Sequence, residues 1–165
     1  AAHTATCMAP SKTFNVAGLT SSMVIIPNKG KFARYERTIG VGHLGMGNIF
    51  GSIALEAAYT HGDEWLEQML DYLWGNFQLV NDFMKSKLPR VKVMNLEATY
   101  LVWMDFTDYG MKNDDLMKFL IENAKLALND GGRFGLGGDG WLRINIGCPR
   151  SVLQEALNRL EKAFG

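Results

Sequence analysis

Lys12 sits inside Ala9-Pro-Ser-Lys-Thr-Phe-Asn-Val-Ala-Gly-Leu19, a run of small and apolar residues where a positive charge is out of place. Residues 4–8 before it and 22–26 after it read as short strands, so Lys12 falls on a turn near strand ends, where open α/β sheets place ligands. Burial disfavours an ammonium, and a neutral lysine amine is a nucleophile. The chemistry such an amine suits is a Schiff base with a carbonyl cofactor or substrate. A solvated loop lysine is the competing account. Ser11, its neighbour, either donates a hydrogen bond to a cofactor phosphate or braces the turn.

Arg143 is the second informative residue. It lies in a strand-like run, 141–146, between Leu142 and Ile144, so its side chain points to the face opposite theirs. A partly buried arginine needs an anionic partner, and its planar fork suits a bidentate grip on a carboxylate. An ordinary salt bridge is the alternative. Arg150 opens a helix, where a cation is mildly unfavourable, and a structural ion pair accounts for it best.

Other candidates are weaker. Gly135-Leu-Gly-Gly-Asp-Gly140 is followed by a strand and not a helix, which excludes a dinucleotide fingerprint and leaves a loop over an active site. Gly40-Val-Gly-His-Leu-Gly-Met-Gly47 lacks the Lys-Ser/Thr of a phosphate-binding loop. His3, His43 and His61 form no ligand motif, so no metal is expected. Cys7 and Cys148 have no paired spacing and read as reduced thiols of a cytoplasmic protein. With 17 basic and 17 acidic residues the net charge is zero, which points away from nucleic acid. No apolar run reaches the length of a membrane span.

The elements that must position these residues follow from periodicity. Asn48 is a plausible cap for a helix to about Thr60, apolar enough to be buried. Residues 63–88 keep helical spacing, with Asp63 and Glu64 at the start and Lys85 and Lys87 at the end, as the helix dipole prefers. At 1.5 Å per residue that helix is roughly 38 Å long, enough to connect two domains. Its Trp65, Met69 and Trp74 are expected to pack in a core. Beyond Pro89 the pattern predicts strands at 91–94 and 100–105, a helix at 112–123, strands at 125–128 and 141–146, and a final helix after Pro149, with Ser151 and Gln154 as a capping box. The boundaries are therefore a partial larger domain, 1–60, and a long helix with a small two-layer α/β domain, 61–165.

The Ala9–Leu19 run resembles the pyridoxal phosphate (PLP) lysine motif of class I/II aminotransferases of fold type I, and most closely the cystathionine β-lyase and C–S lyase branch. Gly140-Trp-Leu-Arg-Ile-Asn-Ile-Gly-Cys-Pro-Arg150 resembles that family's carboxylate-binding block. Asn48-Ile-Phe-Gly51, Gly62-Asp-Glu-Trp-Leu66 and Tyr100-Leu-Val-Trp-Met-Asp105 occur between them in the family's order. The resemblance implies that Lys12 carries PLP, that Ser11 contacts its phosphate and that Arg143 grips the substrate α-carboxylate. It also implies β-elimination of a sulfur amino acid, or else transamination, in a homodimer. The chain departs from the aminotransferases at Thr20, followed by Ser21 and Ser22, where many members carry a phosphate-binding arginine. This favours the lyase branch. A PLP lysine so near the N-terminus implies the C-terminal portion of an enzyme; alone, it is expected to be an inactive folding or dimerisation module.

Overall fold

A computed structural model describes residues 3–165 and divides after Met69 into two compact units. In the first, β1 (Thr6–Met8) pairs antiparallel with β2 (Met23–Ile25), Cys7 facing Val24. Between them lie α1 (Pro10–Thr13) and a 3-10 turn, Ala17–Leu19. Pro10 starts α1, where its missing N–H costs nothing. Asn15 and Thr20 both take positive φ, 54° and 48°, to close the connection.

Two helices follow, α2 (Lys29–Val41) and α3 (Ile49–His61), each opened by an asparagine cap. Asn28 accepts from the Lys31 amide at 3.0 Å and Asn48 from the Phe50 amide at 3.0 Å, satisfying helix-start donors that have no intrahelical partner. Gly51 lets the first turn of α3 press on the preceding loop. A Cβ there would stand 2.4 Å from the Leu19 carbonyl oxygen. The expected burial of α3 is not found. Ile49, Phe50 and Ile53 are 71%, 69% and 61% exposed, because α3 is apolar around most of its circumference and the chain covers little of it.

Helix α4 (Asp63–Lys87) carries the predicted acidic start and basic end. Its buried stripe begins only at Leu73 and continues through Asn76, Phe77, Val80 and Met84. Trp65 and Trp74 are therefore not core residues, contrary to the periodicity. Both are about half exposed, Trp65 stacking on Phe14 and Trp74 leaning on Phe77. A 3.6-residue period identifies a face but not the neighbour that covers it.

The second unit has the predicted strand-strand-helix-strand-strand-helix order. Strands β3 (Lys92–Val93), β4 (Leu101–Asp105), β5 (Asn129–Asp130) and β6 (Trp141–Asn145) form an antiparallel sheet in the order β3-β4-β6-β5. The helices are α5 (Asn113–Phe119), extended by a π turn to Ala124, and α6 (Arg150–Phe164). Strand alternation puts Val102, Met104, Leu142 and Ile144 into the core with Leu116, Leu120, Leu153, Leu157 and Leu160. Leu101, Trp103, Asp105, Trp141 and Arg143 fall on the opposite, partly open face. An aromatic cluster closes one end, with Phe164 against Phe106, Tyr109 and Phe119.

Three local expectations are corrected. Residues 125–128 are not a strand: Lys125 adopts φ 54° and the Leu126 amide returns to the Leu120 carbonyl at 3.3 Å, a helix ending that delays pairing to Asn129. Ser151 forms no capping box, because the cap residue is Pro149 and Ser151 already lies inside α6; Gln154 instead donates to Asn158 at 3.0 Å. Arg150 has no ion pair among the described residues. Its Nε donates to the Asn76 amide oxygen at 3.0 Å, and its guanidinium lies over the Tyr72 ring. That placement explains Gly75, a residue about 1 kcal/mol worse than alanine in a helix interior. A Cβ there would meet Arg150 Nη2 at 2.7 Å.

Candidate functional site

Lys12 belongs to the first unit and Arg143 to the second. Lys12 stands on the single turn of α1, held by hydrogen bonds from the Phe14 amide to the Pro10 carbonyl (2.8 Å) and from the Val16 amide to the Ser11 carbonyl (3.1 Å). Pro10 is buried and Phe14 packs on Tyr59 and Trp65, so the turn is anchored on both sides of the lysine. Lys12 itself is exposed, which corrects the expectation of burial. The amine has no hydrogen bond or ion pair to any described residue, so no described acid competes for it.

The donors around this turn fit an aldehyde-bearing, phosphorylated cofactor. An unpaired primary amine is what attachment through an aldehyde requires. Half-buried Ser11 precedes it in the chain, and Thr20, Ser21 and Ser22 follow in the same unit; each carries a hydroxyl able to hydrogen-bond a phosphate. None of them supplies charge.

Arg143 is held from three sides. Its neighbours across the sheet are Trp103 on β4 and Asn129 on β5. The Asn129 amide oxygen accepts from Nε at 3.4 Å and from Nη2 at 3.1 Å. The Phe134 ring centroid lies 4.4 Å from Cζ and the Trp103 centroid 5.8 Å away, with Phe134 set edge-on against Trp103 at 5.2 Å. No carboxylate lies within 4.0 Å of the guanidinium among the described residues, so the ordinary salt bridge is absent. Beside it is a depression of about 270 Å³ lined by Met94, Asn95, Thr99 and Trp103. A larger groove of about 860 Å³, lined by Thr107, Asp130, Arg133 and Asp139, does not include Arg143.

Residues 131–140 lead into β6. Their base is locked, not loose. Asp130 accepts from Asn113 Nδ2 and from the Gly132 amide, and Asn113 accepts from the Gly140 amide at 3.2 Å. Gly131 and Gly138 pack back to back, with a Cβ on Gly138 only 2.1 Å from the Gly131 carbonyl oxygen. Leu136 is fully exposed at the tip. Sequence reasoning found Arg143 but not Asn129, Phe134 or Trp103. Only the strand register brings them together, and Asn129 sits just where an Asn-Asp-Gly-Gly run reads as turn.

No known protein-family profile matches the chain. The cystathionine β-lyase PatB of Bacillus subtilis (strain 168) is 40% identical to it over 159 residues, which are 96% of this chain and 41% of PatB. The structure of cystalysin from Treponema denticola, which contains a PLP cofactor, superposes with a TM-score of 0.94 at 36% identity over 98% of this chain and 41% of that one. The chain is homologous to the C-terminal part of the cystathionine β-lyases. PLP-dependent aminotransferases are more distant relatives; an aspartate aminotransferase of Pyrococcus horikoshii is 28% identical over 158 residues, 93% of this chain and 39% of its own length. The expected α/β architecture of the C-terminal portion of a PLP-dependent fold is thereby borne out. The chain spans about two-fifths of the curated lyases it matches, 41% for PatB.

Cys7 and Cys148 are both free. Cys148 follows β6 directly, and burial pushes its thiol up. Because the thiolate is the reactive form, alkylation of Cys148 is expected to set in at a higher pH than for an exposed cysteine. A pH series of iodoacetamide labelling read by peptide mass spectrometry checks this; an onset in the ordinary thiol range contradicts it.

Proposed function

We propose that this chain contributes Lys12 and Arg143 to a PLP-dependent C–S lyase acting on a sulfur-containing amino acid. The observation carrying the proposal is the pair of unneutralised cations: a Lys12 amine without an acid partner, and an Arg143 guanidinium held by an amide and two aromatic rings. When bound, PLP supplies the electron sink for breaking a bond at the substrate α-carbon. Lys12 would hold the cofactor through its amine, and Ser11 would donate to its phosphate. Lys12 Nζ is also the base that takes the substrate α-proton. Arg143 would take the substrate α-carboxylate in its fork. The overall reaction is β-elimination, consuming water and releasing a thiol, pyruvate and ammonia.

The proposal concerns the intact protein, since other residues of such a site are not among those assigned here; the chain alone is expected to turn nothing over. We assign the intact protein as a homodimer, supported by the exposed apolar residues Val41, Leu44, Met46, Ile49 and Phe50. The first unit would be part of the larger cofactor domain and the second the small C-terminal domain. Transamination uses the same two residues and is the alternative that the aminotransferase relatives favour. Assaying the intact, PLP-loaded protein separates the two. Pyruvate and ammonia from cystathionine without a keto-acid acceptor are expected; amino transfer to a keto acid with no thiol release would overturn the lyase assignment.

A further inference from the structure

We infer that Asn129 is a positioning residue for Arg143, turning its guanidinium so that one end stays open for the α-carboxylate of an amino-acid ligand. The inference rests on the reading of Arg143 as the carboxylate anchor. Asn129 and Arg143 are direct partners on the β5–β6 ladder, so their side chains stand side by side on one face. A guanidinium presents five N–H donors in a fixed plane. Asn129 Oδ1 takes Nε and one proton of Nη2, which occupies the Nε edge of that plane. No other described acceptor bonds to the group. Nη1 and the remaining Nη2 proton are left, and two parallel N–H groups are what a bidentate carboxylate needs.

The amide is the informative choice. Asparagine and aspartate have nearly the same shape, but aspartate would add a charge-assisted bond and neutralise the guanidinium. An amide orients the fork and leaves its positive charge for the ligand. Phe134 and Trp103 hold the same cation by their ring faces and also supply no counter-charge. The row Asn129, Arg143, Trp103 across three strands thus restricts the arginine without satisfying it.

Calorimetric titration of the intact PLP-loaded protein with L-alanine and with ethylamine, the same molecule lacking its carboxylate, tests this. Asn129→Asp is expected to weaken L-alanine by at least about tenfold, the effect of one charge-assisted hydrogen bond diverted from the ligand, and to leave ethylamine unchanged. Asn129→Leu, which removes the acceptor without adding charge, is expected to weaken L-alanine about threefold, a fraction of that hydrogen bond's energy, and serves if the aspartate variant does not fold. Wild-type L-alanine affinity in both variants, or a parallel loss for ethylamine, overturns the positioning role. Arg143→Gln separates the two readings. If it too leaves L-alanine binding intact, the anchor assignment fails; if it alone weakens binding, only the role of Asn129 fails.

Discussion

Lys12→Ala in the intact protein is expected to lower turnover by about 10³-fold, within the range for losing a positioned general base, and to abolish covalent retention of PLP. The two losses come from one atom, because the same Nζ would attach the cofactor and take the proton. Borohydride reduction followed by peptide mass mapping reads the attachment directly: the wild type carries the cofactor mass on the peptide containing Lys12 and the variant carries none. Lys12→Arg is expected to fail equally, since a guanidinium keeps the charge but is not a nucleophile at accessible pH. The structure makes this a clean experiment. Lys12 is exposed and bonds to no described side chain, while α1 is held by Pro10, the Phe14 amide and the Phe14 ring. Neither substitution removes a packing contact within this chain, so the cofactor-free proteins are expected to match in thermal stability and only the stabilisation by bound PLP to differ. Cofactor still fixed to the protein in Lys12→Ala would refute the assignment of this residue.

The local features that sequence made legible are those set by near neighbours. Asn48 caps its helix because it competes for the amide two residues on, a purely local bond. The alternation of Leu142, Arg143 and Ile144 gave the arginine its face for the same reason. What sequence could not show is which surface covers which. α3 and the first two turns of α4 have apolar faces, but their exposure depends on partners that periodicity does not name. Lys12 was expected on a turn under burial and stands instead on a helical turn in the open. Its motif identifies its chemistry, yet the desolvation that tunes an amine is a property of everything packed around it. Asn129 was missed because its importance comes only from register, fourteen residues from Arg143 in sequence and directly beside it in the sheet.

The same separation between local pattern and distant partner gives the largest expected stability effect, at Asn76. This asparagine is fully buried at the middle of α4 and makes three hydrogen bonds in both directions. Its Nδ2 donates to the Ile146 carbonyl at 2.9 Å and the Cys148 carbonyl at 3.1 Å, and its Oδ1 accepts from Arg150 Nε at 3.0 Å. It ties α4 to the chain between β6 and α6, three residues after Arg143. Asn76→Ala leaves those carbonyls without their donor, at about 1–3 kcal/mol for each buried orphan, so a total near 3 kcal/mol is expected. That is a large share of the roughly 5–15 kcal/mol by which domains are stable. Asn76→Asp distinguishes the two sides of the network. The aspartate keeps an acceptor for Arg150 and improves it with charge, but as a carboxylate it donates to neither carbonyl and sets negative charge against both. If Arg150 were the important contact, the variant would match or exceed the wild type. The Ile146 carbonyl belongs to a residue with no exposure, whereas Arg150 is open to water that can replace a lost acceptor. The carbonyl side therefore governs, and Asn76→Asp should be destabilised at least as much as Asn76→Ala. Denaturant midpoints of the three proteins decide it, and an aspartate variant as stable as wild type would transfer the role to Arg150.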